Sequence, residues 1–133
     1  MDYVIDASAW LRHALQDGPA GEDLANALVA PELSLHLHAP HILAAEVAHA
    51  LHRLRGTGRL TTREASEHLE SMLALSIHYH SVPELTPAAF RLARQHRLSV
   101  YDALYLALAM GMHARLLTVD DDLARAARAE GCA

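Results

Sequence analysis

SVYDALYLALA, residues 99–109, reads as a helix that is apolar on nearly every side, with one carboxylate, Asp102, in its first turn. A helix hydrophobic all round belongs inside a core, so the rest of the chain must cover this stretch and account for its acid. Two accounts compete. Ser99 and Asp102 stand three apart ahead of an apolar run, the spacing of a capping box, and an acid at a helix N-terminus is favoured by the macrodipole. Alternatively Asp102 is placed for chemistry, in company with other acids.

Outward from this helix, Pro87 at a first helical position begins a helix over 87–96. On the other side, 115–119 is a β-type run whose end is crowded by Asp120, Asp121 and Asp122, and 123–130 returns to helix. At the start, 3–5 is a short strand closed by Asp6, followed by a helix over 7–16 and a second short helix over 21–29 before Pro31. Leu33, Leu35 and Leu37 alternate with Ser34, His36 and His38, the period of a half-buried strand. Pro40 opens a helix over 41–55 with Leu43, Val47, Ala50, Leu51 and Leu54 on its core face; Glu46 lies within that face. A turn at 56–58 and a Thr61/Glu64 capping-box spacing lead into a helix to about residue 75, giving an αα-hairpin. Residues 77–82 are strand-like, with His78 and His80 on one face, and Pro83 ends them. Strands alternating with longer helices predict an α/β fold, a mostly parallel β-sheet flanked by helices, as a single domain over 1–133.

Composition narrows the chemistry. The longest uncharged apolar run, 103–112, is about half of the roughly 20 residues a membrane span requires. The opening MDYVIDASAW lacks the basic region and apolar segment of a signal peptide, and with one cysteine, Cys132, neither a disulfide framework nor a thiolate zinc site is expected. These features predict a cytoplasmic protein with no membrane association. Lysine is absent, which removes the P-loop lysine and the Schiff-base lysine. The formal net charge of -5 does not suit phosphate binding by a basic face, although a bound divalent cation reverses that sign locally.

The acids then count together. In an open parallel sheet the carboxyl ends of the strands face the ligand crevice; Asp6 and Asp120 follow such ends, and Glu46 and Asp102 come from helices that pack on the same sheet. Each has a plain reading by itself: Asp6 and Asp120 as N-caps, Asp102 as a capping-box acid, Glu46 as an ion-pair partner of His49 or Arg53. Four clustered carboxylates repel, by about 1 kcal/mol per contact pair in water and more in a cleft, and without a counter-cation some must protonate. All-oxygen ligation suits Mg2+ or Mn2+ better than zinc. The reaction class that follows is phosphodiester hydrolysis.

VIDASAW (4–10), APHILAAEVAHAL (39–51), VYDALYLALA (100–109) and LLTVDDDL (116–123) resemble, in order and spacing, the four motifs of the PIN-domain ribonucleases, in particular the VapC-type toxins of toxin–antitoxin pairs. The resemblance maps Asp6, Glu46, Asp102 and Asp120 onto that family's acidic metal-binding and catalytic quartet, with Ser8 and Thr118 as small hydroxyl residues beside the acids. It implies a magnesium-dependent endoribonuclease of PIN-like fold with four or five strands. It also implies a homodimer and a small VapB-like antitoxin that covers the site. Members usually have one more strand after the last helix, where only Gly131, Cys132 and Ala133 remain here. The alternatives are a PIN nuclease outside a toxin pair, in RNA maturation or flap cleavage, and a catalytically silent PIN-like interaction module.

The histidine pairs His36/His38 and His78/His80 read as solvated strand faces rather than a zinc site, for no further ligands stand at a recognisable spacing. Asp121 and Asp122 are expected to pair with Arg125. Arg53, Arg55, Arg59 and Arg63 gather at the hairpin turn, where RNA binding, partner binding and plain solvation all remain open.

Overall fold

The computed structural model describes residues 1–15 and 36–133. Its elements are β1 (Asp2–Ile5), α1 (Ala7–Leu15), β2 (His36–Pro40), α2 (Leu43–Gly56), α3 (Thr62–Leu73), β3 (Ile77–His80), α4 (Val82–His96), α5 (Val100–Met112), β4 (Arg115–Leu117) and α6 (Asp121–Ala129). The helix expected over 21–29, and Leu33, Ser34 and Leu35 of the alternating run, lie outside the described residues.

Four strands form one sheet in the order β3-β2-β1-β4, and every pairing is parallel. Tyr3 stands opposite Leu37 on one side and Arg115 on the other. The chain steps outward from β1 to β3 and then returns to the far side of β1 as β4. The order therefore reverses between β1 and β4, and the carboxyl ends of those two strands border the crevice where such sheets bind ligands.

The stretch that opened the reading is the core, as its all-round hydrophobicity requires. Every residue from Ala103 to Ala109 in α5 is buried, and the helix packs on β1, β2 and β4 and against α4 and α6. The hairpin of α2 and α3 also forms, and α3 begins with the expected capping box, Thr61 and Glu64 each bonding the other's backbone N–H.

Three local readings are corrected. Pro40 ends β2 rather than opening a helix: it stands opposite His80, and His41 N–H donates to the His80 carbonyl, so the ladder runs past the proline before α2 begins at Leu43. Pro83 does not end a strand but lies in the first turn of α4, whose N-cap is Ser81, and Pro87 falls inside that helix. Pro87 is exposed, and burying Ala89 and Leu92 outweighs the one backbone bond it removes near the helix start. The half-buried pattern fails in β2, where Leu37, His38, Ala39 and Pro40 are all buried, because an interior strand of a parallel sheet is covered on both faces. His38, only 7 % exposed, is accordingly no solvated histidine, while His36 and His78 are exposed as expected. After α6 the Cys132 carbonyl accepts from Leu116 N–H at 2.7 Å. The chain's last residues thus meet the outer edge of β4 through one bond, and no further strand forms among the described residues.

Candidate active site

Asp6 follows the last residue of β1, and its N–H donates to the Leu117 carbonyl, carrying the β1–β4 ladder one residue further. Its carboxylate is the best-anchored group in the crevice. Oδ1 accepts from Ala9 N–H at 2.8 Å and lies 2.8 Å from Ser8 Oγ; Oδ2 accepts from the Thr118 hydroxyl and lies 2.9 Å from Ser8 Oγ. The two hydroxyls are themselves held by backbone: Val119 N–H donates to Ser8 Oγ and Asp120 N–H to Thr118 Oγ1. One carboxylate therefore caps α1 and ties it to the chain leaving β4. Although only 4 % exposed, Asp6 gains enough from these bonds to offset part of the desolvation. Burial still prevails and, with the neighbouring Asp102 charge, pushes its pKa from 3.8 up to about 6.

The other acids arrive from three further elements. Glu46, in the first turn of α2, accepts the Tyr105 hydroxyl proton at 2.5 Å, so its partner is a tyrosine of α5 rather than His49 or Arg53. Asp102, in the first turn of α5, has its backbone N–H capped by Ser99 Oγ at 3.0 Å. Burial raises its pKa, and the charges of Asp120 and Asp122 add to that rise while Ser99 opposes it. Asp120 is the N-cap of α6, accepting from Leu123 N–H at 2.9 Å, and Asp122 pairs with Arg125 as expected.

Asp6 and Asp120 are caps, yet Asp102 raises both Asp6 and Glu46 and is itself raised by Asp120. Asp102 is the hub of the set. The acids surround the crevice without closing on one point: among the described residues no three His, Cys, Asp or Glu side chains stand close enough to hold a metal ion between them. That geometry still fits a hard cation such as magnesium, which keeps several waters and takes one or two carboxylates together with substrate phosphate. Uncompensated carboxylates at raised pKa are a donor set that a divalent cation would satisfy.

Against known proteins, the PIN-domain family model matches residues 3–129. The chain belongs to the PIN-domain family. Ribonuclease VapC9 of Mycobacterium tuberculosis is 34 % identical over 117 residues, 88 % of this chain and 84 % of that protein. Ribonuclease VapC3 of Pyrobaculum aerophilum is 40 % identical over 90 residues, 66 % of this chain and 69 % of that protein. A crystal structure of a Pyrobaculum aerophilum protein superposes with a TM-score of 0.72 at 26 % identity, covering 95 % of this chain and 79 % of that one. The sarcin-ricin-loop-cleaving toxin VapC20 of Mycobacterium tuberculosis shares the fold at a TM-score of 0.65 and 20 % identity, covering 93 % of this chain and 94 % of that one. This PIN-domain chain is accordingly a ribonuclease of the VapC kind, a family that carries a divalent-metal requirement.

Tyr105 escaped the sequence reading. The available signal was a hydroxyl in an otherwise apolar helix, three residues after Asp102 and so near the same face. The link from His38 to Asp2 and His80, at 3.0 and 2.9 Å, was missed as well.

Proposed function

We propose that this chain hydrolyses RNA phosphodiester bonds endonucleolytically at the β1–β4 crevice, with Mg2+, or Mn2+ in its place, held within the set Asp6, Glu46, Asp102 and Asp120 by one or two carboxylates directly and by the others through its water shell. The observation that carries the reading is the mutual electrostatic coupling of carboxylates from four separate elements around Asp102. A bound divalent cation supplies charge neutralisation at the phosphate oxygens and a lowered pKa for the attacking water. The protein's own part is positional. The hydrogen bonds to Asp6 hold it in one orientation, and Ser8 and Thr118 serve to keep it there. Asp102, partly exposed and raised by burial, is the group suited to take the proton from an attacking water.

The same charge argues for the partner. An acidic crevice attracts a basic side chain, so a small VapB-like antitoxin is expected to insert arginine or lysine near Asp6 and Asp102. A homodimer, which the family resemblance implies, is the expected assembly, and Phe90 and Tyr101 on α4 and α5 are exposed in the single chain. The deciding experiment is RNA cleavage by purified, partner-free protein. Cleavage is expected with magnesium or manganese and not with chelator, and Asp102→Asn should lower it by orders of magnitude; chelator-resistant cleavage refutes the metal reading.

A further inference from the structure

A tyrosine hydroxyl in a core usually has a partner that explains why phenylalanine is not there. Tyr105 is 1 % exposed in the middle of the most apolar helix among the described residues. Among the described residues its hydroxyl has one hydrogen-bond partner, Glu46 Oε1 on α2, 59 residues away in sequence. The glutamate's other oxygen, Oε2, takes no hydrogen bond among the described residues, and the side chain as a whole is only partly buried. Glutamate has three rotatable side-chain bonds, and fixing it costs rotamer entropy. A buried donor on a rigid core helix meets that cost before any ligand arrives.

We propose that Tyr105 is a positioning residue for the metal centre: its hydroxyl fixes Glu46 Oε1 and leaves Oε2 as the oxygen offered to the cation. The inference rests on the reading of Glu46 as a metal ligand and goes further by assigning its orientation to α5. Asp102 and Tyr105 then act from one helix, the first as ligand and the second through Glu46. Outer partners of this kind typically change metal affinity by 10- to 100-fold when removed.

The test is a double-mutant cycle read by magnesium titration of the melting temperature, which needs no catalysis. Wild type, Tyr105→Phe, Glu46→Gln and the double variant are each titrated. Tyr105→Phe should raise the magnesium midpoint on the order of 10-fold, with RNA cleavage recovering as magnesium is increased. In the Glu46→Gln background the same change should move the midpoint by less than about 2-fold, because the group through which Tyr105 acts is already altered. An unchanged midpoint in Tyr105→Phe, or an equal shift in both backgrounds, overturns the positioning role. If wild type itself gains nothing from magnesium, the metal reading falls first, a result distinct from either. Should Tyr105→Phe melt too low to titrate, Tyr105→Met, apolar and adaptable, takes its place in the cycle.

Discussion

Asp6 shows how a fully hydrogen-bonded carboxylate can still disfavour its own charge. Burial raises it from 3.8 to about 6 in the folded protein, so between those values the native state holds a proton that the unfolded chain has released. Its contribution is therefore present at acid pH and lost as pH rises through about 6, on the order of 3 kcal/mol in the metal-free protein. Glu46 and Asp102 are shifted in the same direction. Asp6→Asn should flatten this dependence; urea midpoints in chelator at pH 4.5 and 7 measure it, and equal slopes in both proteins would contradict the burial argument. At Asp102 the two opening accounts separate by sign. A pure cap predicts that Asp102→Asn loses a dipole contribution of about 0.3–1 kcal/mol. Repulsion from Asp120 and Asp122 predicts that the metal-free variant melts at or above wild type and gains much less on adding millimolar magnesium. Calorimetry with chelator and with magnesium distinguishes them, and the second outcome is expected.

At the scale of elements, the β2–β3 edge carries the opposite pH dependence. His38 Nδ1 lies 2.9 Å from His80 Nε2 and its Nε2 lies 3.0 Å from Asp2 Oδ1, so only one proton fits between the two rings. Burial first, then the charges of His38, His78 and His41, lower the His80 pKa, with Glu84 opposing. The unfolded chain binds that proton more readily, and stability falls as pH drops below about 6.5. Wild type shows only the net of this and the Asp6 effect. His80→Gln should therefore lose less stability than wild type between pH 7 and 5.5, by urea unfolding; an identical loss would mean that His80 does not report the strand edge. The α3 cap provides a contrast without titration. Thr61→Ala removes half of a formed capping box and should cost about 1 kcal/mol, while the gain from magnesium stays as in wild type.

For the molecule as a whole, the net charge of -5 opposes RNA, and no lysine offsets it. Binding of a non-cleavable RNA should thus depend on divalent metal beyond ionic strength alone. Fluorescence anisotropy in millimolar magnesium should give tighter binding than in sodium chloride of equal ionic strength, against the usual weakening by salt. Equal binding in the two would place RNA affinity on the exposed arginines of the α2–α3 hairpin instead of the crevice.

The placement of the four acids on their elements was legible because its signals are local. Asp6 closes a strand, Asp102 and Glu46 stand in first helical turns, and Asp120 precedes a helix, so periodicity and capping rules place them without any knowledge of distant contacts. The all-apolar 99–109 stretch likewise determined by itself that a helix fills the core. Other features belong to tertiary structure. The Tyr105–Glu46 bond joins residues 59 apart and the His38–His80 contact residues 42 apart, separations at which side-chain type carries no information about partnership. Pro87 inside α4 and the buried run 37–40 of β2 follow the same logic, since packing against α5 and the neighbouring strands overrides a proline signal and an alternating pattern. What the sequence could place was the acids on their elements; only the order β3-β2-β1-β4 made the reversal between β1 and β4, which opens a crevice at the strand ends that Asp6 and Asp120 follow.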